Sequence, residues 1–322
     1  MSSELFGILF KQKLSKELVE IETKRRMVLK KSVIFVSGGI VIFLSCQIFN
    51  QFLGLAVIPF MFISIFLIWQ VFVEIAKWME EFKKQVIPKV LSILDPNLEL
   101  QDSNKLDKNI VSQSRLFQGY FTSNEVFCDN SILSNIINKS KLIQSSLALN
   151  EIFCDDYITS KAYGNLKIAE LKIIRGTGKN SVQVFGGVLF AAKFPIQFQG
   201  QSFAFQKSFT EPRDLEGLEK VILESPMLME KFNFWTTNQV EARMCFQTDI
   251  MSNLLDLCEQ YGTNFDLSFI DNTIYIALHQ NSGFFEPNIF QSVLDPKIYQ
   301  KFYDEITTLN QIITKFKLHQ NL

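Results

Sequence analysis

Two long apolar runs near the N-terminus constrain this chain more than any other feature. The first run covers residues 33–49, the second covers residues 52–76, and neither contains a charged side chain before Glu74. At about 1.5 Å of rise per helical residue, the runs would extend roughly 26 Å and 37 Å, against a hydrocarbon core of about 30 Å. A soluble helix is rarely apolar on all sides over such a length. The pattern therefore predicts a transmembrane helical hairpin over residues 32–76.

The charges that flank the two runs predict the orientation of this hairpin. The connecting segment 46–51 carries no charge, whereas both outer flanks are basic. The flanking basic residues are Lys24, Arg25, Arg26, Lys30 and Lys31 before the first run, and Lys77, Lys83, Lys84 and Lys89 after the second. Since basic residues stay on the cytoplasmic side of a membrane, we expect both termini in the cytoplasm.

The apolar runs admit two other interpretations. A secretory signal peptide fits badly, because about thirty residues precede the first run and no small-residue cleavage site separates the runs. A re-entrant hairpin that does not cross the membrane remains an alternative. The first run is near the minimum length for crossing, and Gly38, Gly39 and Pro59 would permit bending.

Patterning divides the rest of the chain into three further segments. Residues 1–31 predict an amphipathic cytoplasmic helix, which would lie on the inner leaflet or pack on the soluble domain. Residues 77–115 predict a helical stalk followed by a polar linker, since 101–115 is poor in large apolar side chains. Residues 116–322 predict a cytoplasmic α+β domain.

The soluble part is predicted to be dominated by antiparallel pairing. Residues 166–174 and 182–194 alternate as two strands, with Gly186 and Gly187 expected at a bulge or a close backbone contact. A second hairpin is predicted around Asp271–Asn272. The predicted fold class is therefore α+β, with an N-terminal two-helix transmembrane hairpin followed by a soluble, mainly antiparallel β domain with C-terminal helices.

Two C-terminal helices complete this prediction. The first covers 248–261, with Thr248 or Asp249 as its cap and Gly262 as its end. The second begins at Asp295–Pro296 and runs to about residue 316.

Composition excludes several functional classes. The net charge is −1, which gives no reason to expect nucleic acid as a partner. The chain has two histidines without ligand spacing and no phosphate-binding loop, so we expect neither a metal nor a cofactor. Five cysteines without C-x-x-C spacing suit a reducing compartment, and Cys245 and Cys258 are expected to be buried and inert. The 32 phenylalanines are expected mainly in the core.

One polar cluster stands out among the charged residues. Glu241 and Arg243, together with Asp271 and Glu286, would orient a ligand carboxylate or phosphate, or would form a structural ion pair, which is the favoured interpretation. Phe284 and Phe285 beside Glu286 would anchor a partner or lipid, although closure of the core is preferred. The candidate contact residues are Glu241, Arg243, Phe284, Phe285 and Glu286.

Several segments resemble one bacterial family. They read VIPKVLSILDPNL, VFGGVLFAAKFPIQFQG, NQVEARMCFQTDIMSNLLDLCEQYG, LSFIDNTIYIAL and FFEPNIFQSVLD. Together they are similar to the family catalogued as domain of unknown function 3137, over most of the chain beyond about residue 25. The chain departs from the family pattern at Ala192–Lys193–Phe194, where an acidic residue usually precedes the phenylalanine. The resemblance implies an integral protein of the bacterial inner membrane and implies no established activity.

These observations favour a membrane-tethered scaffold or adaptor without catalytic activity. Its expected partners are the lipid bilayer and a protein not identified by the sequence. Small residues at Gly38 and Ser45 in the first run, and at Gly54 and Ser64 in the second, would allow close packing within the hairpin or a homo-oligomer. The alternative from another class is a membrane-associated enzyme whose site is built from scattered Asp, Glu and Arg residues.

Overall fold

The computed structural model describes most of the chain. The described residues are 3–53, 58–117, 150–163, 165–176, 181–194, 197–207, 217–280, 283, 286–295, 297, 298, 300–304, 307 and 311. The chain divides into two compact units, which we call the hairpin unit and the sheet unit. The hairpin unit comprises Met1–Pro96 and Phe285–Thr308, and the sheet unit comprises Asn97–Phe284 and Leu309–Leu322. The segment 285–308 thus groups with the N-terminal helices, although it follows the sheet in sequence.

Two long helices dominate the hairpin unit. Helix α1 extends over Ser3–Leu53 and helix α2 over Ile58–Leu94. The amphipathic segment 1–31 and the first apolar run are therefore parts of one continuous helix, because no proline interrupts them. Helix α2 likewise continues through Pro88, where a kink or a restart was expected. In the C-terminal segment, Asp295 Oδ1 accepts a 2.9 Å hydrogen bond from the Lys297 amide, which confirms the predicted helix start.

The sheet unit is built on one antiparallel sheet of nine strands. The strands are β1 Glu99–Gln101, β2 Asn150–Ser160, β3 Leu166–Arg175, β4 Val182–Lys193, β5 Gln201–Gln206, β6 Glu219–Val221, β7 Phe232–Thr236, β8 Phe265–Ile270 and β9 Thr273–His279. Their order across the sheet is β1-β2-β3-β4-β9-β8-β5-β7-β6, and every neighbouring pair is antiparallel. Both predicted hairpins are confirmed, and Asp271 makes the second turn with a φ of +54°. The α+β fold class is therefore confirmed.

Four short or medium helices accompany the sheet. They are α3 Asn109–Ser114, α4 Pro226–Lys231, α5 Gln239–Cys245 and α6 Thr248–Tyr261. Helix α6 ends at Gly262 as predicted, with a φ of +69°. Its start differs from the prediction, because the N-cap residue is Gln247 and makes no side-chain cap hydrogen bond. Helix α5 is well capped, since the Asn238 side chain accepts hydrogen bonds from the Val240 and Glu241 amides.

The structure differs from the predicted polar linker at 101–115. Strand β1, which pairs with β2, ends at Gln101, and helix α3 lies within this region. Leu106, Ile110 and Val111 are buried in one cluster with core residues of the sheet, including Phe185. Burial of these three apolar side chains attaches the segment to the core of the sheet unit, while most of its polar residues remain at the surface.

Phenylalanines fill the core of the sheet unit, as the composition predicted for the described residues. Phe246 packs edge-on against Phe234 and Phe269, with ring centroids 4.9 Å and 5.6 Å away. All three rings are at most 2% exposed. Edge-to-face arrangements of this kind are favourable beyond simple area burial.

Gly187 makes a close backbone contact within the sheet. Its φ is +151°, and a Cβ atom at this position would overlap the Leu278 carbonyl oxygen. The predicted close backbone contact at Gly186–Gly187 is therefore confirmed, and a register irregularity in the β3–β4 pairing lies nearby.

Candidate functional site

The first half of α1 is held against the second half of α2 by a buried apolar stripe. Phe6, Phe10, Leu14, Leu18 and Ile21 recur at helical spacing, and all are at most 2% exposed. The opposing buried residues of α2 are Trp78, Phe82, Val86, Ile87, Val90 and Leu91. The Trp78 indole also donates a 3.2 Å hydrogen bond to the Ile21 carbonyl. The amphipathic face of residues 1–31 is therefore packed on protein.

Ion pairs connect the two helices along this packed half. Lys89 pairs with Glu17, and Lys24 pairs with Glu81. Hydrogen bonding to Glu81, and then to Glu20, raises the pKa of Lys24. Hydrogen bonding to Lys89 lowers the pKa of Glu17. These pairs hold α1 and α2 in one antiparallel register.

A further ion pair between the helices, Lys31–Glu74, marks the point where the hairpin changes from charged to uncharged. Lys31 Nζ lies 3.4 Å from Glu74 Oε1. On α1 no charge follows Lys31 as far as Leu53, and on α2 none precedes Glu74 back to Ile58. The last charge of α1 and the first charge of α2 therefore lie at the same level, and the part of the hairpin distal to this pair is uncharged.

The distal half of the hairpin exposes its apolar side chains. Ile34, Phe62 and Trp69 are 64%, 67% and 60% exposed. Further exposed residues are Val33, Ile40, Val41, Phe43, Leu44, Ile58, Phe60, Ile63, Ile65, Phe66 and Phe72. Both helices are long and apolar enough to cross a membrane by length and composition. Such a surface is stable in hydrocarbon and unfavourable in water.

Gly39 lies close to α2 in this distal half. A Cβ atom at Gly39 would lie 3.4 Å from the Ser64 carbonyl oxygen, whereas one at Gly38 would have nothing within 4 Å. Ser64 is 4% exposed, and its hydroxyl donates a 2.7 Å hydrogen bond to the Met61 carbonyl. The sequence placed Gly38 on the small-residue face, but the structure assigns the helix contact to Gly39 and Ser64.

A buried ionic cluster attaches the C-terminal segment to α1 within the hairpin unit. Glu22 and Arg25 are 3% and 7% exposed and share two hydrogen bonds of 2.8 Å. Arg25 Nη1 donates to the Ile289 carbonyl at 2.7 Å, and Glu22 Oε2 accepts from the Val293 amide at 3.1 Å. Hydrogen bonds from Arg25, reinforced by Arg26 and the Val293 amide, lower the pKa of Glu22 to about 2. This cluster was not predicted, although its i, i+3 and i+4 spacing is visible in the sequence.

Within the polar cluster predicted around Arg243, Glu241 and Arg243 do not pair with each other among the described residues. Both residues lie on helix α5, two positions apart, and such positions do not face each other. Glu241 accepts hydrogen bonds from the Gln199 and Gly200 amides, the latter at 2.7 Å. Arg243 is exposed and has no ion-pair partner among the described residues. The carboxylate therefore fixes the loop before β5, and the guanidinium is left at the surface.

The other predicted contact residues are dispersed. Asp271 is exposed in the β8–β9 turn, where its carbonyl accepts a 2.7 Å hydrogen bond from the Phe198 amide. Glu286 is exposed and belongs to the hairpin unit, where its carbonyl accepts from Lys301. Phe284 and Phe285 lie outside the described residues. Glu241, Arg243 and Asp271 thus have separate roles within the sheet unit.

Helix α5 presents apolar side chains at the surface. Val240 and Met244 are 72% and 44% exposed, and four residues of spacing place them on one face of the helix. Gln239 Nε2 bonds to the Lys220 carbonyl at 3.1 Å and so links α5 to β6. Ile222, directly after β6, is 83% exposed. We call Ile222, Val240 and Met244 the α5 surface.

His279 has a structural environment. Its Nε2 lies 2.9 Å from Asp266 Oδ2, while Asp266 Oδ1 accepts a 2.9 Å hydrogen bond from the Gln206 amide. The Phe185 ring packs edge-on against the imidazole at 5.0 Å. Both carboxylate oxygens are engaged, so this pair ties β9, β8 and β5 together. The sequence gave no indication of this cross-strand partner.

The described cysteines are free thiols. Burial raises the pKa of Cys245 to about 12, and burial also raises the pKa of Cys258. Burial, with Asp156 and Asp155 nearby, raises the pKa of Cys154 to about 12. Cys245 and Cys258 are buried, as predicted. None of the three is an activated nucleophile.

Comparisons with known proteins give one family and one distant structural similarity. No curated protein matches the chain at a significant level. The crystal structure of the mycobacterial trehalose monomycolate transport factor A is similar over 52% of this chain and 78% of that chain, at 12% identity and a TM-score of 0.27. A score this low supports no conclusion about fold or function. Residues 183–318 match a family model and confirm the resemblance found in the sequence. The matching model is that of the family described as Protein of unknown function (DUF3137), so the chain is similar to this family over residues 183–318.

Proposed function

We propose that this protein is an integral inner-membrane scaffold or adaptor, anchored by the α1–α2 hairpin. Both termini and the sheet unit lie in the cytoplasm, and the sheet unit binds a protein partner without catalysing a reaction. The observation that carries the proposal is the hairpin itself, which is packed and charged at one end and apolar and exposed at the other.

The length of the uncharged half supports full crossing of the bilayer. On α1, residues 32–53 follow the Lys31–Glu74 pair and extend about 33 Å at 1.5 Å per residue. A hydrocarbon core of about 30 Å is matched by this length, whereas a re-entrant hairpin would be expected to be shorter or broken. α1 is helical over this whole segment, which favours crossing.

The charges at the packed end support a cytoplasmic location. Lys24, Arg25, Arg26, Lys30 and Lys31 precede the uncharged part of α1, and Lys77 follows that of α2. Basic residues close to the ends of membrane helices are retained on the cytoplasmic side. Both ends of the hairpin and the sheet unit, which follows α2 in sequence, are assigned to the cytoplasm.

The α5 surface is the contact proposed for the protein partner. Ile222, Val240 and Met244 are apolar and exposed, and Arg243 lies between the last two in sequence without an ion-pair partner among the described residues. Apolar side chains combined with arginine are typical of protein-binding surfaces. The dispersion of Glu241, Arg243 and Asp271 favours this non-catalytic role over an enzyme.

Topology is tested by protease protection of a C-terminal tag. Digestion of the tag in inside-out vesicles, and its protection in right-side-out vesicles, is the expected result. Digestion only in right-side-out vesicles would reverse the orientation. Extraction of the protein by alkaline carbonate would contradict an integral hairpin.

Partner binding is tested by photocrosslinking from position 240 in native membranes. A matched probe at Glu259, which is exposed on α6, serves as the control. We expect one discrete adduct from position 240 that is absent from position 259 and is lost in the V240E/M244E variant. An adduct with the mass of two copies would favour a homo-oligomer instead, and identical patterns from both positions would count against this surface.

A further inference from the structure

Three basic side chains lie just on the charged side of the Lys31–Glu74 pair. Lys30 and Lys77 are exposed and have no ion-pair or hydrogen-bond partner among the described residues. Arg26 is 66% exposed at its side chain and shares the Glu22 carboxylate with Arg25. We call Arg26, Lys30 and Lys77 the juxtamembrane basic surface.

The neighbouring carboxylates do not neutralise this surface. Glu74 is paired with Lys31, and Glu80 is paired with Lys84 at 2.6 Å. Glu22 is one negative charge shared by two arginines. Glu20 and Glu81 share Lys24 farther along the helices. Within five residues of the Lys31–Glu74 pair, the charges of one arginine, Lys30 and Lys77 therefore remain uncompensated.

The spacing along the helices places these charges in the headgroup layer. A bilayer of about 40–45 Å with a core of about 30 Å leaves a headgroup layer of roughly 5–8 Å on each side. Lys30 is one residue from Lys31, Lys77 is three residues from Glu74, and Arg26 is five residues from Lys31. At 1.5 Å per residue the farthest offset is about 7.5 Å, and long basic side chains can reach toward lipid from there.

We propose that the juxtamembrane basic surface binds the phosphate groups of anionic phospholipids in the adjoining leaflet. The inference rests on the proposed anchoring of the hairpin and adds the chemical class of lipid that surrounds it. Charge complementarity and direct continuity with the membrane-spanning surface both select a membrane lipid as the occupant. Each basic residue beside an anionic leaflet contributes about fivefold in affinity, screened by salt.

The chain offers a matched control for this surface. Lys11 and Lys13 are exposed on the same helix, and Lys13 is 18 residues from Lys31, about 27 Å along the helix axis. The variants K30Q/K77Q and K11Q/K13Q remove the same charge from the same hairpin unit. Only the first pair lies in the expected headgroup layer.

The test is native mass spectrometry of the full chain released from nanodiscs of phosphatidylcholine with phosphatidylglycerol. We expect wild type and K11Q/K13Q to retain phosphatidylglycerol selectively, and K30Q/K77Q to retain at least fivefold less. Raising KCl from 0.1 M to 1 M is expected to reduce the wild-type selectivity. Equal retention by K30Q/K77Q and wild type, or equal loss in both variants, would overturn the inference.

Failure of this inference is distinguishable from failure of the proposed anchoring. If K30Q/K77Q incorporates into nanodiscs and resists carbonate extraction as wild type does, unchanged lipid retention contradicts only the lipid-binding proposal. If wild type itself does not incorporate, the membrane anchoring is wrong. Displacement of the lipid by inorganic phosphate alone would identify a general anion site and would contradict a lipid surface.

Discussion

The Glu22 carboxylate and the Arg25 guanidinium form two hydrogen bonds of 2.8 Å while both are almost completely buried. This pair also binds the main chain at Ile289 and Val293, so it connects α1 to a segment more than 260 residues later in the chain. A buried ion pair of this kind is costly to break, because removal of one partner leaves the other charge without compensation.

Acid is expected to destabilise the hairpin unit through Glu22. Its pKa is lowered from 4.5 to about 2, mainly by hydrogen bonds from Arg25. Folding therefore favours the carboxylate, and this stabilisation is complete above pH 4.5 and is lost as the pH falls toward 2. The contribution is on the order of 3 kcal/mol. Thermal unfolding in detergent between pH 6 and pH 2 measures it.

Two variants isolate the Glu22 contribution. E22Q is expected to be destabilised at pH 7 and to lose less stability than wild type on acidification. E20Q removes an exposed carboxylate two positions earlier and is expected to cost at most about 1 kcal/mol. An E22Q variant that keeps the full acid dependence of wild type would exclude Glu22 as its source.

Substitution of Gly187 by alanine is expected to disrupt the sheet unit. The new Cβ would overlap the Leu278 carbonyl oxygen, and the φ of +151° disfavours any L-residue. We expect G187A to lose several kcal/mol of stability or to fail to fold, as measured by thermal unfolding and soluble yield. G217A is the control, because Gly217 has a φ of +79° but nothing within 4 Å, and it is expected to cost about 1–2 kcal/mol. Equal losses in the two variants would show that steric overlap at Gly187 is unimportant.

The adjacent glycines Gly38 and Gly39 in α1 are expected to differ in their tolerance of a large side chain. G39L would push α1 away from the Ser64 carbonyl and is expected to cost about 1–3 kcal/mol. G38L meets open space and is expected to be nearly neutral. Unfolding titrated with a denaturing detergent gives the stabilities, and spin-label distances between the helices report separation. A larger effect at Gly38 would mean that the other face of α1 makes the contact.

The Phe246 ring is expected to be a major contributor to sheet-unit stability. It packs against Phe234 and Phe269 and is 2% exposed, so F246A is expected to cost about 3–5 kcal/mol. M244A, two residues earlier and 44% exposed, is expected to change stability by less than about 0.5 kcal/mol. Denaturant-induced unfolding followed by tryptophan fluorescence compares them. A large loss in M244A would show that Met244 is structural, and the α5 surface would then be a poor candidate for partner binding.

The described thiols are expected to resist alkylation in the folded protein. With a pKa of about 12, Cys245 is a thiolate in only about one molecule in 10⁴ at pH 8. Cys154 has a similarly raised pKa but is only half-buried, so it is expected to react faster than Cys245 as the pH is raised. Iodoacetamide labelling with peptide mass analysis measures both rates, with the urea-unfolded chain as control. Labelling of native Cys245 as fast as in urea would contradict its burial.

Local periodicity was enough to predict the long helices and the main hairpins. Uninterrupted apolar composition predicts helices that can span a membrane, and alternation around Asp271 predicts β8 and β9. The end of α6 at Gly262 follows from the backbone freedom of glycine. Each of these features depends on residues that are neighbours in sequence, so their physical causes are present in the sequence pattern.

Tertiary structure alone decided which distant segments meet. The placement of β5 between β8 and β7, the grouping of 285–308 with the hairpin, and the burial of residues in 101–115 all depend on long-range packing. The same holds for the site: Glu241 bonds to the main chain at Gly200, and Lys31 meets Glu74 across the hairpin. A sequence shows which side chains are available for such contacts. The folded chain as a whole, through its total burial and hydrogen bonding, determines which of these side chains pair. No short stretch of sequence reveals that total.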